Sequence, residues 1–171
     1  PSARLESPPL DADPALTIDW ALAQPDGAPE SLLVLLTGLH GIEGFVGAVM
    51  LRLFLDEFLP RLDPSSTGLL LIHALNPWGM QHGRKVNPQN VDLNRNFLLA
   101  PQDFDPTFNP DYAPLKSFIG PEGPVDIPGR AAARFALGLV KSISAHGIAV
   151  LQRASLLGQY RDPRGMYYGG T

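Results

Sequence analysis

The chain has 171 residues, 44 per cent of them hydrophobic and 18 per cent charged, with a formal net charge of −4. That is the composition of a folded domain with a core of its own and argues against disorder. The acidic balance, with no cluster of Lys and Arg, speaks against nucleic acid and against an anionic membrane surface as partners. There is no cysteine, which excludes disulfides, thiolate metal sites and a cysteine nucleophile.

No apolar run approaches the length of a membrane span. A cytoplasmic location fits the lack of cysteine and of a signal-peptide pattern, although the chain opens at Pro1 rather than Met and its amino terminus reads as trimmed. The 17 glycines and 18 prolines, set in so apolar a chain, predict long ordered loops.

Residues 1–16, with Pro8-Pro9 and scattered Asp, read as an extended lead-in. Residues 16–22 alternate in polarity and predict an edge strand. Pro25-Asp26-Gly27 marks a turn. The run Leu32-Leu33-Val34-Leu35-Leu36 is a buried-type strand, and it feeds into Thr37-Gly38-Leu39-His40-Gly41-Ile42-Glu43-Gly44. Residues 45–59 have helical spacing, with Val46, Val49 and Leu53 on one face and Arg52 four residues before Asp56 on the other. Pro60 ends that helix. Residues 67–75 are almost wholly apolar, as in a strand covered on both faces.

Strand, helix and strand in so short a span make a right-handed βαβ unit with a parallel pairing. Its two strands then end side by side, one at His40 and Glu43, the other at Asn76. Open α/β sheets place their ligand sites outside the carboxyl ends of such strands. Residues 98–128 form a long proline-rich stretch. Residues 129–146 are a helix, with Ala131, Phe135, Leu139 and Ile143 four apart. Gly147 is a C-cap or a kink, and residues 149–157 have the composition to continue the helix. The chain closes in a turn-rich aromatic loop over residues 158–170.

The chemistry lies in two stretches. His40 and Glu43 are ligand types that zinc prefers, three residues apart at a strand exit. Read alone, His-x-x-Glu is a common pattern, and a Glu beside a helix start equally well serves the helix dipole. The second stretch runs Asn76-Pro77-Trp78-Gly79, then Arg84-Lys85, then Val91-Asp92-Leu93-Asn94-Arg95-Asn96-Phe97. A guanidinium is a rigid bidentate fork for a carboxylate, so two arginines and an amide side chain suit a substrate with a carboxylate and a carbonyl. The plain alternative is a solvated loop whose arginines pair with Asp92 or Asp103, a weak kind of contact.

These two stretches, in this order, resemble the zinc carboxypeptidases of the carboxypeptidase A type. The closest look is to a bacterial branch of uncharacterised carboxypeptidase-like proteins whose first motif reads Gly-x-His-Gly-x-Glu-Gly. The resemblance is strong over residues 31–97 and loose elsewhere. It implies an α/β fold with a mostly parallel, mixed sheet and helices on both faces, in one catalytic domain covering residues 1–171. It implies one zinc ion on His40 and Glu43, Arg84 as the residue that stabilises an oxyanion, and Asn94 and Arg95 as the grip on a terminal carboxylate. The implied reaction is hydrolysis of an amide or peptide bond next to a carboxylate, in a small peptide or an N-acyl amino acid. An N-acyl amino acid deacylase or esterase on the same site, or a non-catalytic anion-binding fragment, are the alternatives.

A zinc hydrolase needs three protein ligands and a base for its water. The family's third ligand is a His two residues after an Asp on a later strand, and its base is a late Glu. Neither is found up to Thr171, so the resemblance implies the amino-terminal half of the domain, with an incomplete zinc site. His146 ends a helix and has Ser144 in place of that Asp. His73 sits inside a strand, as a core or edge histidine does, and His82 is close enough to Arg84 to line a pocket. Tyr160, Tyr167 and Tyr168 are further candidates for the pocket wall.

Overall fold

The computed structural model describes residues 2–97, 105–124 and 127–170. They gather into two compact units, Pro1–Gln89 and Asn90–Thr171. The first holds strands β1 (Ser2–Glu6), β2 (Pro9–Leu10), β3 (Asp13–Thr17), β4 (Asp19–Gln24), β5 (Ser31–Leu36) and β6 (Thr67–His73), with helices α1 (Gly44–Leu53) and α2 (Pro77–Gln81). A four-stranded mixed sheet runs in the order β1-β4-β6-β5, and β2 and β3 form a separate small hairpin.

The βαβ unit stands where its sequence puts it. β5 and β6 pair in parallel from Ser31 opposite Thr67 to Leu36 opposite Ile72. α1 is continued by a wider turn over Phe54–Phe58 and a tight one over Leu59–Arg61. Arg52 Nε donates to Asp56 Oδ2 at 2.7 Å on its outer side, as the four-residue spacing requires. Pro60 lies in the tight turn, where its missing N–H interrupts no helical bond.

The amino-terminal segment departs from expectation. The extended lead-in contains β1, β2 and β3, and residues 16–22 split between β3 and β4. β4 is no edge strand, because β1 covers it on one side and β6 on the other. Both of those pairings are antiparallel, so the parallel pairing is one of three rather than the majority. The reason is connection length. A parallel pair needs a crossover long enough to hold a helix, and in this unit residues 37–66 provide it.

β6 lies inside the sheet, with Gly68 and Leu69 buried. β5 has the all-apolar composition of an interior strand but is the last in the order, and Leu32, Val34 and Leu36 are about half exposed.

The second unit is helical: α3 (Tyr112–Ile119), α4 (Pro128–His146) and α5 (Ile148–Leu156). α3 appears within a stretch whose prolines suggest only loop; Pro114 sits in the first turn of the helix, where a missing N–H is harmless. Residues 98–104 and 125–126 of that stretch lie outside the described residues. α4 matches its four-residue apolar spacing, but α5 does not continue it, since the two axes are bent by 110° at Gly147. Tyr112, Leu115, Ala154 and Tyr168 are the buried apolar centre of this unit. Asn109 closes the end of α5, its Nδ2 donating to the carbonyls of Ala154 at 3.2 Å and Gly158 at 2.7 Å. No single helix among the described residues is long and apolar enough to cross a membrane.

Candidate metal and anion site

The parallel ladder continues past the ends of its strands. Thr37 N–H donates to Ile72 O at 3.0 Å, Leu75 N–H to Thr37 O at 3.0 Å and Asn76 N–H to Gly38 O at 2.9 Å. The two exit loops therefore leave the sheet side by side. The first turns through Gly41–Glu43 as a single 3-10 turn into α1. That turn brings His40 Nδ1 to 3.2 Å from Glu43 Oε1. The imidazole is sheltered, at 14 % exposed, while the carboxylate at 70 % opens to solvent.

The second loop is tied to the first. Asn76 is buried and caps α2, its Oδ1 accepting from Gly79 N–H at 2.9 Å and its Nδ2 donating to Lys85 O at 3.3 Å. Arg84 N–H donates to Gly79 O at 2.7 Å, and Ile42 N–H donates to Arg84 O at 3.0 Å. Arg84 is thus pinned through its backbone beside the His40–Glu43 turn. Its side chain is exposed and makes no ion pair among the described residues. The two loops meet closely at Gly41, where a Cβ would fall 2.1 Å from the Gly79 carbonyl carbon and 2.2 Å from Met80 N.

The other histidines have separate engagements. His73 Nδ1 lies 2.5 Å from Thr37 Oγ1, the satisfied strand histidine its position suggests. His82 stacks on Trp78 at 4.4 Å between ring centroids, with Nδ1 at 2.9 Å from the Trp78 carbonyl. His146 ends α4, in the second unit.

Asn94 and Arg95 belong to the second unit, in a 3-10 turn over Leu93–Arg95. Asp92, fully buried, caps that turn by accepting Asn94 N–H at 3.0 Å. Arg95 Nη1 donates to Asn94 O at 2.8 Å. The aromatic loop wraps the same segment. Tyr160 Oη donates to Arg95 O at 2.7 Å, Asp92 N–H to Tyr168 O at 2.7 Å, and Asn90 Nδ2 to the carbonyls of Pro163 and Gly165 at 2.9 and 3.0 Å. Tyr160 therefore contacts the Asn94–Arg95 turn directly, whereas Tyr168 is a buried member of the core.

A salt bridge anchors this loop to α3. Lys116 Nζ lies 2.8 Å from Asp162 Oδ2. The hydrogen bond from Lys116 holds the Asp162 carboxyl below its ordinary range, and the same bond raises Lys116. Burial, then the Asp162 charge, pushes the Tyr112 hydroxyl upward.

Two of these residues escaped sequence reasoning. Asn90, at φ 63, and Gln159, at 3 % exposed, are loop polar residues with no periodicity to mark them; the turn-residue density around Gln159 is the only signal.

The His40–Glu43 pair fits a metal. Two donors each about 2.1 Å from a tetrahedral zinc lie roughly 3.4 Å apart, close to the 3.2 Å found. The same distance is that of a long hydrogen bond between the two side chains. Among the described residues no group of three or more His, Asp or Glu side chains gathers to hold an ion.

The model of the family described as "Protein of unknown function (DUF2817)" matches residues 4–171. No curated protein and no solved structure matches the chain.

Proposed function

We propose that this chain, which belongs to the DUF2817 family, carries part of the site of a zinc carboxypeptidase-like hydrolase that cleaves an amide or peptide bond next to a carboxylate. The observation that carries the reading is the His40 Nδ1–Glu43 Oε1 pair at 3.2 Å, on a loop tied to Arg84 at the ends of two parallel strands. His40 and Glu43 would hold the ion. Zinc supplies Lewis acidity, which acidifies water and polarises a carbonyl.

The remaining roles belong to the protein's own groups. Arg84, with its backbone fixed and its guanidinium open, donates to the oxygen on which negative charge develops. Asn94 and Arg95 bind a carboxylate, the role that the resemblance gives them. Small peptides and N-acyl amino acids both present that pair of groups, and both are substrate candidates.

Zinc titration of the 15N-labelled chain tests the metal step. His40 ring resonances shift on adding zinc, and the shift is lost in Glu43→Gln. An identical response in Glu43→Gln would remove the pair from the metal site. Hydrolysis is then assayed on a panel of short peptides and N-acyl amino acids, against an Arg84→Ala variant.

A further inference from the structure

We infer that the loop over residues 158–170 is the backing that sets the position of the Arg95 side chain, with Tyr160 as a positioning residue. The inference rests on the reading of Asn94 and Arg95 as a carboxylate grip, and it adds a part that the two motifs do not contain. A two-pronged hydrogen bond to a carboxylate demands that the guanidinium plane be oriented within about 10–20°. Arg95 reaches its place on a long flexible stem, so something must restrict that stem.

The loop does so from two directions. From below, Tyr160 Oη donates to the Arg95 carbonyl at 2.7 Å and fixes the backbone from which the side chain springs. From the side, Gly158 lies against the stem: a Cβ there would fall 2.7 Å from Arg95 Cδ and 2.9 Å from Cγ. Gly158 also has φ +82, a conformation that disfavours other residues. Flanking bonds hold the turn in register, from Asp92 N–H to Tyr168 O and from Asn96 Nδ2 to Gly169 O, at 2.7 and 2.5 Å. Arg95 Nε is buried and makes no hydrogen bond among the described residues, and the packing of Gly158 on the Cγ–Cδ stem restricts that part of the side chain.

The backing is itself stiff. Gln159, buried at its centre, accepts from Arg161 N–H and Asp162 N–H at 2.9 and 2.7 Å and donates to Asp162 O at 2.7 Å. Gln159 N–H donates to Tyr167 O at 2.9 Å, and Gly169 N–H to Gln159 O at 2.8 Å. A preorganised support of this kind fixes the side chain before ligand arrives and lowers the ordering cost of binding.

The experiment compares wild type, Tyr160→Phe, Gly158→Ala and Arg95→Ala in the full chain. It reads the Arg95 Nε–H resonance without ligand, the Kd of N-acetylphenylalanine by calorimetry, and the thermal midpoint. In wild type the Nε–H is rigid on the nanosecond scale; Tyr160→Phe shifts it, raises its mobility, and weakens N-acetylphenylalanine three- to tenfold. Gly158→Ala weakens it further, and the amide analogue of the ligand, lacking the carboxylate, is indifferent to all three changes. If Arg95→Ala abolishes binding while Tyr160→Phe leaves both Nε–H and Kd at wild-type values, the positioning role is overturned and the carboxylate grip stands. If Arg95→Ala leaves the Kd unchanged, or wild type does not bind, the grip itself is wrong and the inference falls with it. A lowered midpoint in Tyr160→Phe with Nε–H and Kd unmoved marks a purely structural tyrosine and also overturns it.

Discussion

Ile42 N–H donates to the Arg84 carbonyl at 3.0 Å. That bond joins two motifs that are more than 40 positions apart in the chain, on the loops that leave β5 and β6. It makes them one local structure, in which the position of Arg84 depends on the turn that carries His40 and Glu43. The contact is close because Gly41 has no side chain.

Gly41→Ala therefore separates the loops. The added methyl overlaps main-chain atoms of Gly79 and Met80, which have little room to move. The expected cost is about 1–3 kcal/mol of stability, typical of an overpacked site, measured by urea denaturation. The zinc-dependent shift of His40 weakens in parallel. Wild-type stability and zinc response in Gly41→Ala would show that the loops are not mechanically coupled.

Asn76 secures the other side of the same structure. Truncation in Asn76→Ala removes the cap on α2 and leaves Lys85 O without its side-chain donor. A lost N-cap costs about 1 kcal/mol, and the lost part-buried hydrogen bond to Lys85 O adds up to a similar amount. The combined loss, on the order of 2 kcal/mol, is read as a shift in the chemical-denaturation midpoint at constant slope. Asn76→Asp keeps the acceptor for Gly79 but sets a buried carboxylate oxygen against Lys85 O, so it recovers little of the loss.

The βαβ unit and the neighbourhood of its two loops were legible in the sequence because the signals are local and strong. A run of apolar residues, a helical stretch ended by Pro60 and a second apolar run force one topology, and the topology alone places His40 near Asn76. What was not legible depends on long-range pairing. Nothing in Leu16-Thr17-Ile18-Asp19 tells that β1 will cover β4, since alternation reads the same in an edge strand and an inner one. The break at Gly147 was visible as a glycine, but its 110° bend, which lays α5 against both α3 and α4, is a matter of tertiary packing that the local sequence does not carry. The loop behind Arg95 was visible only as turn residues. Its order comes from Gln159, Asn90 and Tyr160, whose partners are backbone groups that no pattern announces.

Gln159→Leu tests that order. The substitution keeps the volume and strips the amide from several main-chain partners in a buried place. The unsatisfied groups cost on the order of 3 kcal/mol, seen as a lowered thermal midpoint and as faster hydrogen exchange at Arg161 and Asp162. Exchange unchanged at those two amides would mean that the loop is held from outside.

The Lys116–Asp162 bridge gives a pH signature. Asp162 has its folded pKa lowered by Lys116, so its contribution is present above the unfolded carboxyl pKa of about 3.9 and is lost as pH falls through the folded value. Lys116 has its folded pKa raised by the same partner, so its contribution is complete below about 10.4 and is lost as pH rises through the folded value. The stability difference between wild type and Asp162→Asn is then flat from roughly pH 5 to pH 9.5 and shrinks at both ends. Lys116 is 39 % exposed in this pair, so the plateau is modest and falls further when salt is raised. Thermal midpoints of the two proteins across pH, at low and high salt, check this. A difference that persists undiminished at pH 2 would mean that the carboxylate charge is not what ties the loop to α3, and that Asp162 acts through shape and its backbone bonds alone.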